Sequence, residues 1–295
     1  MRILHMDAGR EMRGGQHQVL FLLRALRGLG VEQALCAPPD APLRQLAANE
    51  GFAVTATARR GEWDIYHAHD AHSHTRAVMQ RLHPLIVSRR VAFPVKTGLL
   101  SRWKYARADA YLAVSKFAEA RLRAAGIPAE IIHVVYDAAP PLPAASGDRV
   151  IAPATDDPRK GSALAREAAR LAGVELHFSR DLPADLASSR LLVYLSYEEG
   201  LGSAALLAHS AGVPVLASRV GGLQEVVEHG VSGALVANDP AAVADALLAL
   251  LGRDAAALAQ MRAAAHRNWQ ARFTIEIMAS ATHKVYASLV GQKAS

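Results

Sequence analysis

With a single cysteine, Cys36, the chain cannot form an internal disulfide, so its stability must come from packing. One free thiol in the strand-like setting ALCAP fits a buried side chain in a reducing compartment. Aromatic residues are only 5% of the sequence, which is sparse for a surface that stacks bases, and no nucleic-acid-binding module is recognisable. Nucleic acid is therefore not an expected partner. No apolar run reaches the roughly 18 residues of a membrane span. The opening MRILHMDAG meets Asp7 and Gly9 too early for the apolar core of a secretory signal, which makes a cytoplasmic location the expectation. Short repeats and low-complexity blocks are also missing.

What is present is apolar mass. A length of 295 residues, 51% hydrophobic and 20% charged, suffices for two ordinary domains with separate cores. Acidic side chains are scarce in the first half. Residues 1–143 hold 19 Lys and Arg against 12 Asp and Glu, a balance of +7, while 144–295 hold 14 against 15, a balance of −1. Residues 76–123 are the most biased, with 11 basic and 2 acidic side chains. Such a field suits phosphates or an acidic lipid surface, including peripheral contact with the inner face of the cytoplasmic membrane. The plain alternative is arginine used for solubility.

Hydrophobic periodicity orders the chain as strands alternating with helices. RILHM reads as a strand. A loop containing Gly14 and Gly15 follows, and then a helix with apolar residues at Val19, Leu20, Leu22, Leu23, Leu26 and Leu29, stopped at Gly30. Further strands read from VEQALCAP, FAVTATA, DIYHAHD, LIVSRR, AYLAVS and IIHVVYD, with a basic segment after LIVSRR. The Pro- and Ala-rich DAAPPLPAASGD, 137–148, is the best linker. Beyond it the alternation resumes through RVIAPAT, VELHFS, LLVYLS, VPVLAS and ALVA, and Asp239-Pro240 opens a helix as N-cap and N1. The expected fold class is α/β: two doubly wound Rossmann-like domains, 1–143 and 144–272, with a helical tail at 273–295.

In such sheets ligands bind beyond the carboxyl ends of the strands, which selects three loops. Gly14-Gly15 would let backbone amides approach a phosphate at a helix N-terminus, although a glycine pair also serves plain turns. In HAHDAHSH, His67, His69, His72 and His74 crowd around Asp70, and a period of two puts His67 and His69 on one face. Imidazoles and a carboxylate can ligate a metal, but no motif such as HExxH accompanies them, so histidines lining a sugar or phosphate pocket are preferred. For His72 and His74, core or surface placement is the competing reading. In EEGLG, Gly200 and Gly202 free backbone amides before a helix, and Glu199 can accept from neutral hydroxyls. Arg159-Lys160-Gly161 can supply cations for a diphosphate.

Taken together, the GG loop, DIYHAHD, AYLAVS, PRKG and EGLG…AGVPVLAS…VGGLQEVV…GVSGALV resemble the retaining GT-B glycosyltransferases, especially the bacterial family-four nucleotide-sugar transferases. The resemblance implies two Rossmann-like domains facing across a cleft, with a C-terminal helix that returns to the first. It implies a nucleotide diphosphate sugar as donor substrate, with no cofactor and no metal, and a glycan or lipid-linked acceptor of lipopolysaccharide or capsule type, held mainly by the N-terminal domain. It assigns catalytic roles to His69, Lys160 and Glu199. Donor binding falls to Gly14, Gly15, His67, Arg159, Gly200, Leu201, Gly202 and Ser203. Two positions depart from the pattern: Thr155 stands where the family has Arg, and Leu207 stands where it has a ribose-contacting Glu. Those departures motivate the alternatives, a fold member that binds a nucleotide or partner without transfer, or a nucleotide-sugar epimerase.

Overall fold

Buried β-strand sequence comes first. In RILHM only Arg2 is exposed, and Ile3–Met6 are buried on both faces, as a central parallel strand requires. A computed structural model of the chain describes residues 1–95 and 98–291. It divides into two units, Met1–Asp137 with Ile275–Ser295, and Ala138–Thr274.

The first unit holds a seven-stranded, all-parallel sheet. Its strands are β1 (Arg2–Met6), β2 (Glu32–Cys36), β3 (Ala53–Thr55), β4 (Ile65–Ala68), β5 (Leu85–Arg89), β6 (Ala110–Ala113) and β7 (Ile132–Val134). Their order is β3-β2-β1-β4-β5-β6-β7, so the chain reverses direction across the sheet between β1 and β4. The helices are α1 (Gly14–Gly28), α2 (Pro42–Asn49), α3 (Ala71–Met79), α4 (Leu99–Tyr105) and α5 (Lys116–Ala124). In α1 the periodic set Val19, Leu20, Leu22, Leu23 and Leu26 is buried, each side chain worth about 1.5–3 kcal/mol of burial. Gly14 and Gly15 are the first two residues of α1, while the loop after β1 is Asp7–Arg13. The basic segment after LIVSRR contains α4, whose LLSRWKY lacks the apolar run that announces the other helices.

The second unit holds five parallel strands: β8 (Arg149–Pro153), β9 (His177–Ser179), β10 (Ser189–Tyr194), β11 (Val215–Ser218) and β12 (Gly233–Val236). Their order, β12-β11-β10-β8-β9, puts the reversal between β8 and β10. Its helices are α6 (Ser162–Ala172), α7 (Leu182–Leu186), α8 (Ser203–Ser210), α9 (Leu223–Val226), α10 (Pro240–Leu251) and α11 (Ala255–Arg272). The final helix, α12 (Ile275–Gly291), belongs to the first unit and packs on α1 there.

The two breaks fall at Asp137/Ala138 and Thr274/Ile275, against the expected 143/144 and 272/273. Hydrogen bonds explain the first shift. The Pro-rich stretch is no free linker, because α11 pins it into the second unit. The Trp269 indole donates to the Ala139 carbonyl at 3.1 Å, and the Arg262 guanidinium donates to the carbonyls of Ala145 at 2.7 Å and Gly147 at 3.1 Å. Among the described residues, no helix is long and apolar enough to cross a membrane.

Candidate functional site

Each sheet reversal gathers a polar cluster. In the second unit the loops after β8 and β10 meet. Lys160 ends a single 3-10 turn, Pro158–Lys160, and its ammonium lies 2.5 Å from Glu199 Oε2. The same carboxylate oxygen accepts from the Tyr194 hydroxyl at 2.7 Å. Burial, reinforced by the adjacent carboxylate, holds the Tyr194 phenol far above its ordinary range, so it stays a proton donor. Lys160 and Glu199 are about one-third and one-eighth exposed, which leaves the ammonium within reach of a ligand. The cluster thus offers a cation and a carboxylate side by side. The cation suits a diphosphate and the carboxylate suits hydroxyls.

Backbone packing fixes this loop. Gly202 caps α8 at φ 114°. Gly221 (φ 49°) and Gly222 pass so close that an added Cβ would lie 2.0 Å from the Glu199 carbonyl oxygen and 2.1 Å from that of Gly200. Gly222 N–H donates to the same Glu199 carbonyl at 3.0 Å. Below them Asn238 donates to the Ser196 carbonyl at 3.0 Å and Ser218 donates to Asn238. The EEGLG and VGG segments therefore form one rigid unit.

Other expected donor residues fall around this cluster in different ways. Leu201 is buried, so only its backbone is presented, whereas Ser203 is exposed at the first position of α8. Arg159 turns back onto Asp157 of its own turn, Nε to Oδ1 at 2.9 Å and NH2 to Oδ2 at 2.6 Å. Lys160 is thus the cation of this pair that lies against Glu199. Thr155 Oγ1 accepts from Asp157 N–H at 3.2 Å and so helps shape the same turn. Leu207 lies half-buried on α8.

In the first unit the reversal between β1 and β4 holds three buried histidines, His5, His67 and His69. Arginine only donates, so Arg90 NH1, 3.1 Å from His69 Nδ1, makes that nitrogen an acceptor. The neutral ring then carries its proton on Nε2 and donates to His5 Nδ1 at 2.9 Å. His5 is left with Nε2–H, buried and without a hydrogen-bond partner among the described residues. Arg90 itself is fixed by Asp137 at 2.9 Å. His67 spends both ring nitrogens elsewhere, on the Tyr286 hydroxyl at 2.6 Å and Ser88 Oγ at 2.8 Å.

This geometry corrects the sequence reading of the histidines. His67 is a fully buried core residue, not the lining of a pocket. His69 has both nitrogens engaged, so it orients neighbours through a relay. The three rings lie close enough to offer a metal one nitrogen each. Yet the His5 Nδ1 lone pair and the His69 Nε2 proton are committed to each other, and a guanidinium sits on the far side of His69. His74 packs edge-on against Tyr105 and Tyr111, and His72 is exposed. Sequence reasoning missed His5, Arg90, Tyr194 and Tyr286. His5 and Tyr194 lie in apolar strands where alternation marks only a buried position. Arg90 and Tyr286 reach their partners through tertiary contact alone.

Asp70 caps α3. Its carboxylate accepts from the backbone of His72 at 2.7 Å, Ser73 at 3.0 Å and Ala8 at 2.8 Å. Asp70→Ala should cost about 1–2 kcal/mol, read as a lower urea midpoint at unchanged slope.

Burial sets the titration of the histidines. It lowers His5 and His74 to about 3 and His209 to about 4, and holds His67 and His69 well below 6.5. A base whose folded pKa is depressed binds protons mainly when unfolded. Its neutral form therefore contributes full stability above pH 6.5, and that contribution fades as the pH falls toward the folded value. Acidification from pH 7 to pH 5 should remove at least about 2 kcal/mol, at roughly 1.4 kcal/mol per pH unit for each such histidine. Urea unfolding at the two pH values checks this, and equal midpoints would refute it.

The family described as Glycosyl transferases group 1 matches residues 121–253. A D-inositol 3-phosphate glycosyltransferase of Corynebacterium jeikeium is 41% identical over 95 residues, which are 32% of this chain and 22% of that one. The N-acetyl-alpha-D-glucosaminyl L-malate synthase of Bacillus anthracis is 43% identical over 67 residues, 22% of this chain and 18% of that one. The matches thus span about a fifth of the relatives' own length. Among solved structures, Anabaena HepE in complex with UDP is 18% identical with a TM-score of 0.83, covering 98% of this chain and 100% of that one. That likeness speaks for the fold. Residues 121–253 are thus similar in sequence to the group 1 glycosyl transferases, and the fold of the chain is that of HepE.

Proposed function

We propose that the chain transfers a glycosyl group from a nucleoside diphosphate sugar to an acceptor. The observation that carries this reading is the Lys160–Glu199–Tyr194 cluster, set in a glycine-shaped loop at the reversal of the second sheet. As the sugar–phosphate bond breaks, negative charge grows on the departing diphosphate. Lys160 and the amides around Gly200 and Gly202 stabilise that charge, and such preorganised electrostatic stabilisation supplies most of the rate enhancement in reactions of this kind. Glu199 orients sugar hydroxyls. Transfer with retention of configuration, on one face of the sugar, asks for no protein nucleophile.

A uridine nucleotide is the first donor to test, because the similar HepE fold was solved with UDP and with UDP-glucose. The acceptor belongs to a cell-surface or lipid-linked glycan, a reading supported by the basic first half and by the likeness to the lipopolysaccharide outer core galactosyltransferase WaaB. A second reading is a fold member that binds a nucleotide without transfer. Leu207 favours it, since an apolar side chain accepts no hydrogen bond from a ribose.

Release of free nucleoside diphosphate from a panel of nucleotide sugars, with and without mixed glycan and lipid-linked acceptors, separates the two. Acceptor-dependent release supports transfer. Tight nucleotide binding with no release from any donor supports the second reading.

A further inference from the structure

Helix α4 keeps its apolar side outward. None of its seven side chains is buried, and Leu99 and Leu100 are each 84% exposed, with Trp103 46% exposed. At about 100° per residue, these three fall within an arc of roughly 100°, with Arg102 on one flank and Lys104 on the other. A stripe of this width normally faces a core. Here the helix is anchored by side chains outside the stripe. Lys104 Nζ donates to the Ala71 carbonyl at 2.9 Å and to Thr75 Oγ1 at 2.8 Å, and Tyr105 stacks on Tyr111 at 5.8 Å. Arg89 bonds both the Tyr105 hydroxyl and the Phe93 carbonyl, so the exposed Val91 and Phe93 are tied to the same region.

Charge accompanies the apolar stripe. The Arg107 guanidinium lies 5.3 Å from the Trp103 ring centroid, and Arg102 makes no ion pair among the described residues. The stretch 76–123 holds 11 basic and 2 acidic side chains. We propose that α4 is a membrane-surface anchor. Leu99, Leu100 and Trp103 enter the boundary between headgroups and acyl chains of a bilayer containing anionic lipid, and Arg102 and Arg107 stay at the phosphate level. A bilayer supplies apolar depth and negative charge in adjacent layers, which matches a short apolar stripe edged by arginines with a tryptophan between them. An acidic protein surface would supply the charge without the depth. The inference stands apart from the transferase reading, because it uses no residue of the Lys160 cluster.

The test uses the full chain without nucleotide. Co-sedimentation is measured with vesicles of phosphatidylcholine plus phosphatidylglycerol and with vesicles of phosphatidylcholine alone. Binding should favour the anionic vesicles and weaken as salt is raised. The double variant Leu99→Ser, Leu100→Ser should partition about tenfold more weakly or worse. Arg102→Gln with Arg107→Gln should lower the preference for anionic lipid about tenfold. Brominated lipid should quench wild-type tryptophan fluorescence, and Trp103→Phe should abolish most of that quenching. Nucleotide affinity of the double-serine variant should match wild type, so loss of the anchor is distinguished from loss of the donor site. No binding to either vesicle, equal partitioning of wild type and the double-serine variant, or lipid-free self-association abolished by the serines would each overturn the proposal.

Discussion

Lys160→Ala should slow sugar transfer about 100- to 1000-fold, the usual loss when one preorganised group that stabilises developing charge is removed. The physical ground is that Lys160 is held in place before any ligand arrives. Its ammonium sits 2.5 Å from Glu199, which in turn holds the Tyr194 hydroxyl at 2.7 Å. A diphosphate would therefore meet a cation already fixed, and the protein would not have to order a free side chain during reaction. The folded state should lose much less, about 1–2 kcal/mol, because the pair is partly exposed and Glu199 keeps its bond from Tyr194. Lys160→Arg should recover part of the rate, since it keeps the charge and changes its shape. Steady-state release of nucleoside diphosphate, together with urea unfolding, measures both effects. A variant rate within threefold of wild type would remove Lys160 from the reaction.

The second large effect concerns backbone. Gly221→Ala should destabilise the second unit by about 3 kcal/mol and weaken nucleotide binding at the same time. At φ 49° an alanine is strained, and its Cβ would lie 2.0 Å from the Glu199 carbonyl oxygen. That oxygen is backbone, so no side-chain rotation relieves the clash and the EEGLG loop has to move. Glu199 moves with it. Gly230→Ala is the control. Its φ of 81° is equally left-handed, but an added Cβ meets nothing within 4 Å, so only the conformational cost of about 1 kcal/mol remains and the site is untouched. Calorimetric melting and nucleotide titration of the two variants decide the matter. Equal behaviour of both alanines would show that left-handed strain, and not the close approach, governs this loop.

Much of this architecture is legible in the sequence because its signals are local. Strand runs such as LLVYLS and VPVLAS are buried on both faces, and Asp239-Pro240 opens α10 as cap and first residue. EEGLG announces its loop through its own glycines. Less visible is anything that depends on a partner far along the chain. DAAPPLPAASGD reads as a linker because its prolines are local, while the arginine and tryptophan that pin it lie more than a hundred residues later. HAHDAHSH reads as a pocket for the same reason. Only the fold shows His67 enclosed between Tyr286 and Ser88, and His69 between Arg90 and His5. Arg159 and Lys160 are equivalent cations in the sequence, and the fold alone separates them, because Asp157 claims Arg159 within its own turn.

Isothermal titration shows most directly whether the Lys160–Glu199 cluster holds the diphosphate of a nucleotide sugar. UDP, GDP, ADP and CDP are titrated in turn into the wild-type chain and into Lys160→Ala. At least one diphosphate, UDP first among them, should give heat of binding, with affinity at least tenfold weaker in the variant. Binding of none of the four, or equal affinity in the two proteins, would contradict that role.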